Sequence, residues 1–171
     1  MPLTLLLGGA RSGKSVLAVR TAEEWGGAVL FVATGTAGDD EMAVRIERHR
    51  AERPTGWTTV EEPENLLSVL REAPVDALVL VDCLSLWVAN LLGAGWEDDA
   101  LEAEAAKAAG LAGKREAPTV VVSNEVGLGI VPATPLGRRY RDLLGRVNAI
   151  FASHADDAVL VVAGRKVRLE T

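Results

Sequence analysis

Eight consecutive residues carry the first chemistry in this chain: Gly8, Gly9, Ala10, Arg11, Ser12, Gly13, Lys14 and Ser15. They fit G-x-x-x-x-G-K-[ST] and follow directly on the apolar run Leu3–Leu7. A strand before such a segment and a helix after it separate a phosphate-binding P-loop from an ordinary Gly-rich turn. The glycines let backbone N–H groups converge on phosphate oxygens. Lys14 sets a point charge on the outer phosphates, and the Ser15 hydroxyl is suited to Mg²⁺. The helix that follows points its positive end at the same spot. The implied ligand is a nucleoside triphosphate with Mg²⁺.

Other candidates stand just after apolar runs, because an open α/β sheet binds its ligands at the carboxyl ends of its strands. Thr34, Gly35 and Thr36 follow the run Ala28–Ala33. Asp82 follows Leu78-Val79-Leu80-Val81, a Walker-B-like pattern. Its carboxylate either holds Mg²⁺ or caps the next helix. Glu125 follows Thr119–Val122 and the pair Ser123-Asn124. It is either a general base for an acceptor hydroxyl or a helix-start carboxylate.

The chain has two histidines. His154 closes a long helical stretch, where a positive side chain suits the helix C-terminus. His49 sits among Arg45, Arg48, Arg50 and Arg53, and Arg45 shares a helical face with it. One reading is a solvated basic helix face. The other is phosphate chemistry: neutral imidazole attacks phosphorus while the guanidiniums stabilise the developing charge. Neighbouring positive charge would also lower the imidazole pKa and keep the nucleophilic form populated.

The elements that must position these groups alternate. Near-continuous apolar runs at Leu3–Leu7, Ala28–Ala33, Ala77–Val81, Thr119–Val122 and Ala158–Ala163 predict strands buried on both faces of a mostly parallel sheet. Helices are predicted over Lys14–Trp25, Asp39–Arg50, Pro63–Glu72, Leu84–Leu92, Asp98–Lys114 and Leu136–His154. The Ala/Glu/Lys-rich Asp98–Lys114 is expected to face solvent. Gly164-Arg165, between Val159–Val162 and Lys166–Leu169, predicts a C-terminal antiparallel hairpin. The fold class is α/β, a doubly wound P-loop NTPase domain spanning 1–171. Trp57, Trp87 and Trp96 are core or interface residues before they are base-stacking platforms.

Bulk properties narrow the partners. The chain has 171 residues, 49% hydrophobic and 25% charged, so it is globular. A net charge of −6 gives no general attraction to nucleic acid or anionic membrane. The single cysteine, Cys83, excludes an intrachain disulfide and fits a reducing cytoplasm. There is no signal-peptide pattern, and no apolar run approaches the ~18 residues of a membrane span.

Beyond the P-loop, the segments "ATGTAGDDEMAVRIERHRAERP" (33–54), "WTTVEEP" (57–63), "VDCLSLWVANLL" (81–92), "SNEVGLGIVP" (123–132) and "GRVNAIFASHADDAVLVVAG" (145–164) are spread along the chain. With them the sequence resembles the bifunctional adenosylcobinamide kinase/adenosylcobinamide-phosphate guanylyltransferases of late cobalamin biosynthesis. The resemblance implies two reactions. ATP or GTP phosphorylates the aminopropanol hydroxyl of adenosylcobinamide. GTP then guanylylates a histidine, and the GMP passes to adenosylcobinamide phosphate, giving adenosylcobinamide-GDP and pyrophosphate.

The family's nucleophile maps onto His49. Some relatives carry two adjacent histidines there; this chain has Arg48 then His49. GTP contacts map to Gly8–Ser15, Thr34–Thr36, the segment Arg50, Ala51, Glu52 and Arg53, to Glu61 or Glu62, and to Asp82. The resemblance also implies a RecA-like sheet and a homotrimer with nucleotide near its interfaces, which would give the tryptophans an interface role. A P-loop kinase without a nucleotidyl-enzyme, or a nucleotide-binding switch, would share the generic loop.

Overall fold

The computed structural model describes residues 2–36, 44, 50 and 53–170. Among them, seven strands form one sheet: β1 (Leu3–Gly8), β2 (Val29–Ala33), β3 (Thr58–Glu61), β4 (Leu78–Asp82), β5 (Thr119–Asn124), β6 (Asp157–Val162) and β7 (Arg165–Leu169). Five helices connect the described segments: α1 (Lys14–Trp25), α2 (Leu66–Glu72), α3 (Leu84–Gly93), α4 (Asp98–Ala112) and α5 (Pro135–His154). The strand order is β3-β2-β4-β5-β1-β6-β7. Neighbours run parallel except β6 and β7, which form the antiparallel C-terminal hairpin.

The apolar runs of β1, β2, β4 and β5 become strands because both faces of the sheet are covered there. The run in β6, expected to be buried likewise, is not: only Val159 and Val161 are buried, and Val162 is 55% exposed beside the edge strand β7. In β1, Leu3, Leu5 and Leu7 enter one core with α2, α3, α4 and α5, while Leu6 enters the other with Ala18 and Ala22 of α1. Period-two alternation thus feeds two apolar layers rather than one apolar and one wet face. The thicker layer centres on Trp87, Leu91, Leu101, Leu143 and Phe151, all wholly buried.

Four points go beyond the sequence reading or correct it. The sequence shows no apolar run at β3, because of its residues only Val60 is half-buried. Pairing with β2, Leu30 against Thr58 through Ala33 against Glu61, makes it a strand. The helix expected from Pro63 starts at Leu66. The Glu62 carboxylate accepts from the Glu64 and Asn65 N–H groups and forms a turn before it. α4 does not simply face solvent: Leu101, Ala105, Ala108, Ala109 and Ala112 are buried, with α4 packed on α2 and α5. Its alanine face lets backbones approach closely, and its Asp98 and Glu102 pair with Arg139 and Arg146 of α5. Of the two alternatives for the tryptophans, Trp87 takes the core: it is wholly buried and its indole N–H donates to the Glu64 carbonyl at 2.7 Å. Of the helix expected over 39–50, all but Val44 and Arg50 lies outside the described residues.

Candidate active site

The phosphate loop connects β1 to α1 and is held by close backbone approach. A Cβ on Gly8 would run into the Val161 carbonyl oxygen and lie 2.7 Å from Ser12 Oγ. Gly13 has φ 100°, a left-handed conformation that L side chains rarely adopt. The hairpin turn braces the loop from outside: the Gly164 N–H donates to the Ser12 carbonyl at 2.8 Å. Gly13 is also the N-cap of α1 and provides no side-chain cap. The first N–H groups of α1 therefore meet no capping side chain at the loop. Lys14 is buried, and its ammonium donates to the Gly9 carbonyl at 2.8 Å. Gly9, Ala10 and Arg11 are exposed, Ser12 is buried, and Ser15 is half-buried.

The tips of β2 and β4 are tied together. Buried Thr34 donates its hydroxyl to the Cys83 carbonyl at 2.7 Å and accepts the Cys83 N–H at 2.8 Å. Its own N–H donates to the Asp82 carbonyl at 3.2 Å. Asn90 of α3 then donates to the Thr34 and Pro63 carbonyls at 2.7 and 3.0 Å, and accepts from the Thr36 hydroxyl at 3.3 Å. Asp82, half-buried, is the last residue of β4. It does not cap α3: the N-cap position is Cys83, with no side-chain capping bond. Burial, and next the Asp82 charge, pushes the Cys83 thiol up to about 11. Both effects favour the protonated thiol over the thiolate.

The register aligns Glu61, Ala33 and Asp82 across β3, β2 and β4. Gly8 of β1 aligns with Asn124 of β5. Two strand spacings separate β1 from β4, and four separate it from β3. At ~4.8 Å each these are about 10 and 19 Å, the scale of an extended nucleoside triphosphate.

Glu61 pairs with Arg50 at the β3 end. Arg53 lies 4.0 Å over the ring of Phe31, which stacks on Trp57 at 6.4 Å. Glu62 is differently employed. N–H groups of Asn65 and then Glu64 hold its carboxyl below the usual carboxylate range. Of the two candidate glutamates, Glu61 lies at the strand tip and Glu62 serves the turn. His49, Ala51 and Glu52 lie outside the described residues.

At the tip of β5 the Glu125 N–H donates to the Gly8 carbonyl at 3.0 Å. Its carboxylate accepts the Gly127 N–H at 2.5 Å. Glu125 therefore opens a loop; it does not start a helix, since α5 begins at Pro135. Behind it, Ser123 donates to Asn148 Oδ1 at 2.6 Å, and the Asn148 amide donates to the Asn124 carbonyl at 3.0 Å. Asn90 and Asn148 were missed from sequence. Each is a lone amide on an otherwise apolar helix face, which was the available signal. His154 ends α5 as expected, its Nδ1 2.9 Å from the Ile150 carbonyl oxygen.

This arrangement suits phosphoryl chemistry: a lysine-bearing loop at one end of the rim, a carboxylate mid-rim, and arginines at the far end. A family model described as cobinamide kinase / cobinamide phosphate guanyltransferase matches residues 4–169. The chain belongs to that family. It is thus a bifunctional enzyme, kinase and guanylyltransferase, on a P-loop NTPase-like fold. It is 45% identical, over 97% of its length and 96% of the relative's, to the bifunctional adenosylcobalamin biosynthesis protein CobP of Pseudomonas aeruginosa. It is 40% identical to the bifunctional adenosylcobalamin biosynthesis proteins CobU of Escherichia coli and Salmonella typhimurium, over 98% of the chain and 99% of each relative.

Proposed function

We propose that the chain phosphorylates adenosylcobinamide with ATP or GTP, then passes GMP from GTP to adenosylcobinamide phosphate through a covalent His49–GMP intermediate. The observation that carries this reading is the common rim. Lys14 and the loop N–H groups lie at one end, and the Arg50–Glu61 pair lies at the other. Arg50 follows His49 directly in sequence. A triphosphate laid along the rim presents its γ-phosphorus to an acceptor near β5 and its α-phosphorus toward the arginine end.

In the first reaction the acceptor hydroxyl oxygen bonds to the γ-phosphorus. The bond to the nucleoside diphosphate breaks, and Glu125 takes the hydroxyl proton. Lys14 and the loop N–H groups stabilise the spreading charge. In the second, neutral His49 bonds to the α-phosphorus, and pyrophosphate leaves into the same loop. A phosphate oxygen of adenosylcobinamide phosphate then displaces the histidine. Arg50 and Arg53 balance charge at the α-phosphate. Gly35 and Thr36 line the path between, held in place by buried Thr34, with Glu61 toward the nucleoside; Ala51 and Glu52 are assigned to nucleotide binding by the family resemblance alone.

Mg²⁺ fits the donors present. The Ser15 hydroxyl and the Asp82 carboxylate are the hard oxygens that would hold the ion, directly or through water, with phosphates and water filling the rest of its shell. Among the described residues no group of three or more His, Cys, Asp or Glu forms a separate metal cage. When bound, the ion neutralises phosphate charge.

The reading also takes residues 1–171 as one catalytic domain, working as a homotrimer in the cytoplasm. Cys83 is a buried free thiol, in keeping with a reducing compartment. No described helix is long and apolar enough to cross a membrane. The test is incubation with α-labelled GTP and Mg²⁺. An acid-labile, alkali-stable protein label is expected, lost in His49→Ala. Corrinoid phosphorylation without any such label would leave a single-function kinase.

A further inference from the structure

The loop joining β5 to α5 is the one stretch of the rim that these reactions use only at Glu125. It is Val126-Gly127-Leu128-Gly129-Ile130-Val131-Pro132-Ala133-Thr134, without a charged residue. Leu128 is 85% exposed, Ile130 96%, Val131 60%, and Leu136 just beyond 64%. Single exposed apolar residues need no explanation, but four large ones within nine positions mark a binding surface.

This loop is anchored at both ends. Val126 packs on the larger core, and Glu125 holds both the Gly8 carbonyl and the Gly127 N–H. At the other end Arg138 donates to the Pro132 and Ala133 carbonyls, each at 2.9 Å, and Thr134 caps α5 through the Gly137 N–H. The apolar side chains are therefore presented from a braced segment, which lowers the ordering cost of binding.

Position selects the occupant. β5 lies between β1 and β4, so its tip stands between the phosphate loop and Asp82. An acceptor hydroxyl has to arrive there to meet a γ-phosphorus. The acceptor in the reading above is a corrinoid: a broad macrocycle with apolar faces, a fringe of neutral amides, and one reacting hydroxyl on a side arm. The ring is too large to follow its arm into the phosphate cleft and needs a surface within the arm's reach. An uncharged, apolar loop with backbone outside any helix or strand matches both the faces and the amide fringe.

We infer that the Val126–Leu136 segment is the platform that seats the corrin ring of the acceptor in both transfers. The inference rests on the function proposed above. Its test is the double substitution Leu128→Ser/Ile130→Ser, assayed by steady-state kinetics. The KM for adenosylcobinamide rises about tenfold, about 1.4 kcal/mol of lost contact, while the KM for the triphosphate holds. A second variant, Ile130→Cys, places a thiol on the loop; the native thiol, Cys83, is buried. Adenosylcobinamide slows its alkylation by N-ethylmaleimide at every protein concentration, and GTP does not.

An unchanged corrinoid KM, or a thiol that corrinoid leaves unprotected, overturns the platform while leaving the proposed function standing. Shielding that grows with protein concentration and ignores corrinoid also overturns it, assigning the surface to a second copy of the chain. Wild-type protein with no corrinoid-dependent turnover removes the proposed function, and the platform with it.

Discussion

The tips of β2 and β4 and the tip of β5 end the same sheet and are finished in opposite ways. At β2 and β4, Thr34, Cys83 and Asn90 exchange buried hydrogen bonds that hold the backbone around Asp82. At β5, a braced loop leaves Leu128 and Ile130 almost wholly in water. The first arrangement suits a small, charged ligand, for which fixed dipoles must already be in place. The second suits a large ligand recognised by contact area. In the proposed function this difference lets one phosphate loop serve two transfers, with the nucleotide along the polar stretch and the acceptor on the apolar one.

Among variants along the rim, the largest expected effect on both reactions together is that of Lys14→Ala. Both γ-phosphate transfer and enzyme guanylylation fall about 10²- to 10³-fold in kcat/KM, as for the loss of one main charge-stabilising donor. An effect confined to one reaction would break the shared-loop picture. Next is Thr34→Val, which removes both hydrogen bonds to Cys83. It costs about 1–3 kcal/mol in urea unfolding, because buried groups are left unsatisfied. It also raises the KM for triphosphate more than that for corrinoid, which sharpens the contrast between the two stretches.

The platform variant Leu128→Ser/Ile130→Ser shows the converse. Corrinoid KM rises while stability stays within about 0.5 kcal/mol, since the side chains removed are exposed. Loss of a core contact would instead shift the urea midpoint.

The smallest effect belongs to Glu62. Hydrogen bonds from the Asn65 and Glu64 N–H groups depress its folded pKa. Its contribution to stability is therefore present above the usual carboxylate pKa and lost as pH falls through the depressed value. Glu62 is only half-buried and solvent screens its charge, so Glu62→Gln costs less than about 1 kcal/mol at neutral pH. Urea unfolding on acidification declines less steeply in the variant. Parallel pH profiles for variant and wild type would assign the turn to backbone alone.

Strands with two buried faces were legible because their apolar runs have no competing explanation. Lys14–Trp25 is bounded by the phosphate loop and by Gly26, and the structure ends α1 at the same residues. β3 was not legible, since an edge strand needs no apolar run and takes its shape from its neighbour. The exposure of α4 was misjudged because alanine, small and neutral in pattern, is compatible with either a packed or a wet face. The P-loop and Asp82 announce themselves by motif. Asn90 and Asn148 do not, because an amide's importance depends on which carbonyls the fold brings to it.

The most direct test of the account follows two labels through one experiment. GTP labelled at the α- or the γ-phosphate is given with Mg²⁺ and adenosylcobinamide to wild type, Lys14→Ala and His49→Ala. The account predicts that His49→Ala still moves γ-label onto the corrinoid but carries no protein-bound α-label and makes no adenosylcobinamide-GDP, while Lys14→Ala is deficient in both. Protein-bound α-label persisting in His49→Ala, or γ-transfer lost together with it, would contradict the division between one shared loop and a separate nucleophile.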